Sequence, residues 1–192
     1  MDTVIFFTYF TVNTPYEAEA AKLRKTAQAI GIELVEYPFA STGSWEKNSS
    51  YKYQFMIHTL RSYGCPVVAL DSDARILKPL DYFNSIREDI GFHMLRRPTM
   101  RPELADGTLY MRPACIPLCQ EIIDRCERDP SKWDQRHLQD FIEYYGVGYN
   151  DLPASFCAID GMYGEQGISS GKDIHILHTQ ASRRNKAIIN GE

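Results

Sequence analysis

Pro66-Val67-Val68-Ala69-Leu70 is an uninterrupted apolar run of strand length, and Asp71-Ser72-Asp73 follows it without a gap. A short run with no polar alternation is the pattern of a strand covered on both faces, which points to a layered α/β architecture. Residues two apart on an extended segment face the same side, so both carboxylates can address one point. Open α/β sheets hold their ligands at the C-terminal ends of such strands. Two like charges that close repel unless a cation lies between them. Mg²⁺ or Mn²⁺, hard ions that also bind substrate phosphates, suit the pair. The plainer reading of a bare Asp-x-Asp is a solvated acidic loop.

The surrounding chain supplies an α/β frame. Residues 4–8 read as a buried first strand and 9–14 as the loop leaving its end. Thr14-Pro15-Tyr16-Glu17 carries helix-start signals: a Thr cap, Pro in the first turn and an acid behind it. The Ala-rich residues 17–30 continue as helix and stop at Gly31, and 32–37 form a second strand. This β-α-β opening implies a parallel pair joined by a right-handed crossover. A polar loop at 41–50, a helix at 51–63 ended by Gly64 and the acid-tipped strand complete a nucleotide-binding type of half-sheet. Further along, the pattern predicts a short helix from Pro79, a strand at 90–95 and an Arg- and Pro-rich loop at 96–103. A loop feeding a strand at 106–112 precedes helices at 114–128 and 132–145. Mixed strand and turn at 150–160 and a glycine-rich, mobile loop at 161–172 come next. A last strand at 174–178 delivers His178 to its end, and a polar, basic tail begins at Thr179. No repeat or linker interrupts the chain, so residues 1–192 read as one domain.

Composition narrows the chemistry. A chain of 192 residues that is 44% apolar can build one sizeable core. Its net charge of −4 gives no global basic field, so nucleic acid is not favoured by charge. Arg96, Arg97 and Arg101, with Arg112, mark the place where a polyanion could still be met. Five cysteines, an odd number without a CxxC pair, point to reduced thiols in the cytoplasm and away from a disulfide framework or structural zinc. The start lacks the basic n-region and cleavage site of a signal peptide, and no window approaches the roughly 20 apolar residues that span a bilayer.

Three scattered features converge: the Asp-x-Asp, His178 within His-Thr-Gln-Ala-Ser-Arg, and the cations Arg183, Arg184 and Lys186. Imidazole partners Mn²⁺-type ions, and cations beside a metal stabilise charge building on a leaving diphosphate. Taken singly, the His reads as structural and the tail as solvated surface. In chain order stand the 4–9 strand with its Tyr9 end, Trp45…Lys52…Phe55, Asp71-Ser72-Asp73, Asp106-Gly107-Thr108-Leu109-Tyr110, Asp134-Gln135-x-x-Leu138, Leu152-Pro153 and His178. That ordered series resembles the GT-A glycosyltransferases, particularly the small retaining, family 8-like enzymes related to glycogenin and bacterial galactosyltransferases.

The resemblance implies a Rossmann-like GT-A fold, with a central, mostly parallel sheet flanked by helices. It also implies transfer of a sugar from a nucleoside diphosphate sugar, most often a UDP-sugar, to an acceptor hydroxyl with retention. Asp71, Asp73 and His178 would then hold Mn²⁺ or Mg²⁺, with Asp71 shared with the ribose. Thr8 and Tyr9 would meet the nucleoside, and Lys52, Arg183 and Lys186 the phosphates. Asp106 would contact the donor sugar, and Asp134 and Gln135 would lie beneath it as positioning or ion-stabilising groups. Asp106-Gly107 departs from the family's Asn-Ser/Ala-Gly pattern at this point. The acceptor stays open among a modified nucleobase, a protein and a glycan. Rival readings are a non-catalytic nucleotide-sugar-binding module on the same fold and a haloacid-dehalogenase-type phosphatase. The latter carries Thr or Val where Arg75 stands and places its motif near the N-terminus.

Overall fold

A computed structural model describes residues 3–191. Strand β1 (Ile5–Val12) pairs in parallel with β2 (Leu34–Ala40) on one side and β3 (Val67–Asp71) on the other. Strand β6 (Glu103–Met111) runs antiparallel between β3 and β5 (Ile90–Leu95). The short β7 (Asn150–Asp151) closes that edge, parallel to β5. The sheet order is β2-β1-β3-β6-β5-β7, with β6 the one reversed strand in a mostly parallel frame. A smaller sheet is built from β4 (Ala74–Ile76), β9 (Ile176–His178) and β8 (Ala158–Ile159), in the order β4-β9-β8.

Helices cover both faces. Thr14 Oγ1 accepts the Tyr16 amide at 3.3 Å and Glu17 Oε2 the Asn13 amide at 2.8 Å, which starts helix α1 (Pro15–Ala29) behind its N1 proline. Ser44 caps α2 (Trp45–Tyr63), which ends at Gly64 with φ 65°, a left-handed stop that glycine adopts without strain. Helices α3 (Ile116–Arg128) and α4 (Asp134–Tyr145) follow β6, and α5 (Ala181–Asn190) follows β9.

The apolar run behaves as its composition dictates. Val67 and Ala69 enter a core with Met56 and Leu60 of α2 and Ile122 of α3, while Val68 and Leu70 enter a second core with Leu23 and Ala27 of α1. All four strand residues are fully buried. Each large apolar side chain so buried contributes on the order of 1.5–3 kcal/mol, and pairing β3 between β1 and β6 fixes where Asp71 emerges.

Several boundaries differ from the sequence reading. Strand β1 runs on to Val12 instead of breaking into a loop at Tyr9, because Tyr9 through Val12 stay paired with β2. The segment expected as a polar loop at 41–50 turns helical at Trp45, where the Ser44 cap and an acid in the first turn nucleate α2 early. Strand β2 extends to Ala40 through Pro38, which an edge strand tolerates. The expected basic tail is the helix α5. Among the described residues the cysteines form no disulfide. Among the described residues no helix is long and apolar enough to cross a membrane.

Candidate active site

The acidic turn joins the two sheets. Strand β3 delivers Asp71, and the chain turns through Ser72-Asp73 into β4, where Ala74 is in register with His178 of β9. That register brings His178 Nδ1 to 3.4 Å from Asp73 Oδ1, while His178 Nε2 lies 2.9 Å from Thr108 Oγ1 of β6. Asp73 Oδ2 accepts the Ala181 amide at 2.7 Å, so the same carboxylate caps the first turn of α5. The turn between β9 and α5 is tight enough to hold Gln180 at φ 55°. Opposite the imidazole sits Gly107, where an added Cβ would fall 2.8 Å from His178 Cε1. The glycine is there because the ring lies flush against the β6 backbone.

Arg75 braces this turn from behind. Its guanidinium donates to the Ala74 carbonyl at 2.7 Å and the Glu19 carbonyl at 3.3 Å, and pairs with the Glu19 carboxylate of α1. Both side chains are largely buried.

A second cluster forms around Lys52 of α2. Its Nζ lies 2.8 Å from Asp106 Oδ2, 3.2 Å from Asp71 Oδ1 and 3.7 Å from Asp134 Oδ2, and donates to the Asp106 carbonyl at 3.1 Å. The three carboxylate oxygens are buried, and the ammonium is the cation they share. Burial pushes Asp106 up to about 7; Lys52 opposes this, while Asp134 and Asp71 add to it. Burial also raises Asp71, against the pull of Lys52. Burial disfavours the Lys52 ammonium, yet Asp106, Asp71 and Asp134 hold it well above the usual lysine range.

The His178–Asp73 pair behaves differently. Burial would raise Asp73, but the hydrogen bonds from His178 and the Ala181 amide take it below its ordinary value. Burial would likewise neutralise His178, and Cys157 and Asp73 together outweigh it, lifting the imidazole to about 10.

Both clusters open onto two joined cavities. The first, about 170 Å³, runs between Tyr9, Phe39, Asn48 and Lys52 on one side and Asp134 and Gln135 on the other. The second, about 340 Å³, contains His178, Arg97, Glu103 and Arg183. Asp71, Asp73, Trp45, Trp133, Gln135 and Ser182 border both. Asp71, Asp73 and His178 thus face one space, with hard carboxylate oxygens and an imidazole as donors, a set that suits a Mn²⁺-type ion. Among the described residues no three His, Cys, Asp or Glu side chains are already drawn together as a metal cluster.

Of the residues singled out from sequence, Tyr9, Lys52, Asp71, Asp73, Asp106, Asp134, Gln135, His178 and Arg183 all border these cavities. Thr8 does not: it is buried within the sheet, and Tyr9, Phe10 and Thr11 form the wall instead. Lys186 borders neither cavity; its ammonium pairs with Glu46 at 2.6 Å and lies 4.6 Å over the Trp45 ring. Trp133, Ser182, the Arg75–Glu19 brace and the lysine-centred grouping were missed. Trp133 stands directly before Asp134-Gln135, and that adjacency was the available signal.

No sequence-family profile matches the chain, and no curated protein sequence matches it. Solved structures do. The crystal structure of a glycosyltransferase involved in the glycosylation of the major capsid of PBCV-1 superposes with a TM-score of 0.74 at 12% identity, covering 94% of this chain and 96% of that one. The glycosyltransferase GlyE of Streptococcus pneumoniae TIGR4 superposes with a TM-score of 0.65 at 14% identity, over 94% of this chain and 55% of GlyE. The chain thus spans about half the length of GlyE. At this identity the likeness concerns architecture: the chain has the α/β fold of these glycosyltransferases.

Proposed function

We propose that the chain is a metal-dependent GT-A glycosyltransferase that moves a sugar from a nucleoside diphosphate sugar, a UDP-sugar, to an acceptor hydroxyl with retention. One observation carries the reading. In a fold shared with solved glycosyltransferases, the Asp73–His178 pair and three carboxylates grouped on one lysine open onto the same two joined cavities.

Tyr9 and Phe39 offer the base an aromatic surface in the first cavity. Asp71, Asp73 and His178 would hold Mn²⁺ or Mg²⁺, which when bound neutralises the diphosphate and acts as Lewis acid toward the leaving group. Ser182 and Arg183, on the first turn of α5, add the positive end of a helix and a guanidinium for phosphate charge. Lys52 fixes Asp106 and Asp134 in the inner wall of the cleft. Asp134 and Gln135 stabilise positive charge at the anomeric carbon as its bond to the phosphate oxygen breaks. The acceptor oxygen forms its bond to that carbon on the face from which the phosphate leaves, and the hydroxyl proton passes to the leaving phosphate oxygen.

The test is UDP release from a panel of UDP-sugars with Mn²⁺, in wild type and Asp73→Asn. Slow, chelator-sensitive release is expected, falling about 100-fold or more in the variant with its circular dichroism unchanged. Binding without any release makes the chain a nucleotide-sugar-binding module. Full activity in excess chelator removes the metal from the reaction.

A further inference from the structure

The second cavity does not end at the acidic turn. Arg97, Glu103 and Trp133 at its outer end also line a surface groove that continues past Met100, Arg101 and Arg136. We propose that this groove is where the acceptor lies, and that the acceptor it takes is an uncharged saccharide. The inference rests on the glycosyltransferase reading above and deepens it.

Charge argues first. Of the arginines that the sequence offers to a polyanion, Arg96, Arg97 and Arg101 are neutralised within the fold, while Arg112 donates to the Ile86 carbonyl at 3.0 Å. Arg96 pairs with Asp151, and Arg97 pairs with Glu103 and also lies 3.7 Å from Glu165. Arg101 pairs with Glu143 and lies 3.9 Å from Asp140, and Lys132 lies 3.4 Å from Asp140. A nucleic-acid backbone would have to break these pairs to gain its phosphate contacts, and phosphate contacts dominate such binding. A wall of guanidinium–carboxylate pairs instead presents donors and acceptors side by side. A sugar hydroxyl, which both donates and accepts, needs that mixture.

Shape argues next. Trp133 supplies a flat apolar ring for the C–H face of a pyranose, and the Arg136 guanidinium lies 5.7 Å from its ring centroid. Trp133 caps α4 immediately before Asp134 and Gln135, so a ring stacked on it is carried to those side chains. Trp45 reaches the same cavity from α2. Met100, 55% exposed, extends the apolar floor outward.

The experiment uses the full chain. A Trp45→Phe variant leaves Trp133 as the sole tryptophan. Its emission is followed on titration with lactose, maltose and cellobiose, and with heparin and oligothymidylate, at about 50 and about 200 mM salt. The wild type is screened on an immobilised glycan array, and thermal stabilisation by UDP with Mn²⁺ is measured alongside. Expected are array hits among uncharged glycans and a Trp133 response to at least one neutral disaccharide, changing less than about twofold between the two salts. Arg136→Ala should weaken that response about tenfold and leave the UDP stabilisation intact. Hits confined to sulfated, phosphorylated or sialylated glycans overturn the inference. So does oligothymidylate or heparin binding that collapses with salt, or an array without hits. If UDP with Mn²⁺ stabilises the protein while no neutral glycan binds, only the acceptor assignment falls. If UDP does not bind, the glycosyltransferase reading itself falls, whatever the glycans do.

Discussion

Around Lys52 three carboxylates share one ammonium, whereas Asp73, two residues beyond Asp71, has His178 as its own cation. The first group carries a surplus of negative charge away from water, and burial, with Asp134 and Asp71 adding to it against the pull of Lys52, raises Asp106 to about 7. The second is balanced, and Asp73 is lowered. Charge stoichiometry, more than burial, separates them: Asp73 and Asp106 are both almost fully buried. An imbalanced group costs stability and needs a fixed cation; a balanced pair can exchange its partner.

Removing the cation from the crowded side should have the largest effect. Lys52→Met keeps the volume and leaves three carboxylates without their counter-ion, which should cost about 3–5 kcal/mol. Urea denaturation measures it, and adding Asp106→Asn should recover part of the loss. Equal stability of wild type and Lys52→Met would mean that the cluster is relaxed by water and the comparison is void. On the balanced side, Gly107→Ala should push the His178 ring off its seat, at a cost of about 1–3 kcal/mol. Its Mn²⁺ requirement for UDP release should rise more than its stability falls, and an unchanged Mn²⁺ titration would break the link between that glycine and the imidazole. The smallest effect carries the most informative sign. An acid whose folded-state value is raised contributes stability that is complete below its ordinary 3.8 and is lost as pH climbs through about 7. Asp106→Asn should therefore raise Tm by several degrees at pH 8 and by little at pH 4, with thermal melts across that range as the readout.

What could be read from the residues follows the distance over which each feature is made. Asp71 and Asp73 were legible because a five-residue apolar run and a local turn suffice to place them. His178 was legible from the apolar alternation of its strand. Helix α5 was not, because its polar sequence begins at an amide capped by Asp73, 108 positions earlier. Lys52 could be found as a cation but not as the hub of Asp71, Asp106 and Asp134, which arrive from β3, β6 and α4. The same limit hid the Arg75–Glu19 brace and the neutralisation of the arginine cluster. Charge counted along a chain says nothing of which charges will meet.

Pro38 lies on β2, the outermost strand beside β1. An open rim of unpaired backbone groups invites a foreign strand to zip onto it, and a ring that lacks an amide proton interrupts that template. The rim next to the cleft is thereby protected against edge-to-edge self-association, at a position where the residue does not disturb the ladder behind it.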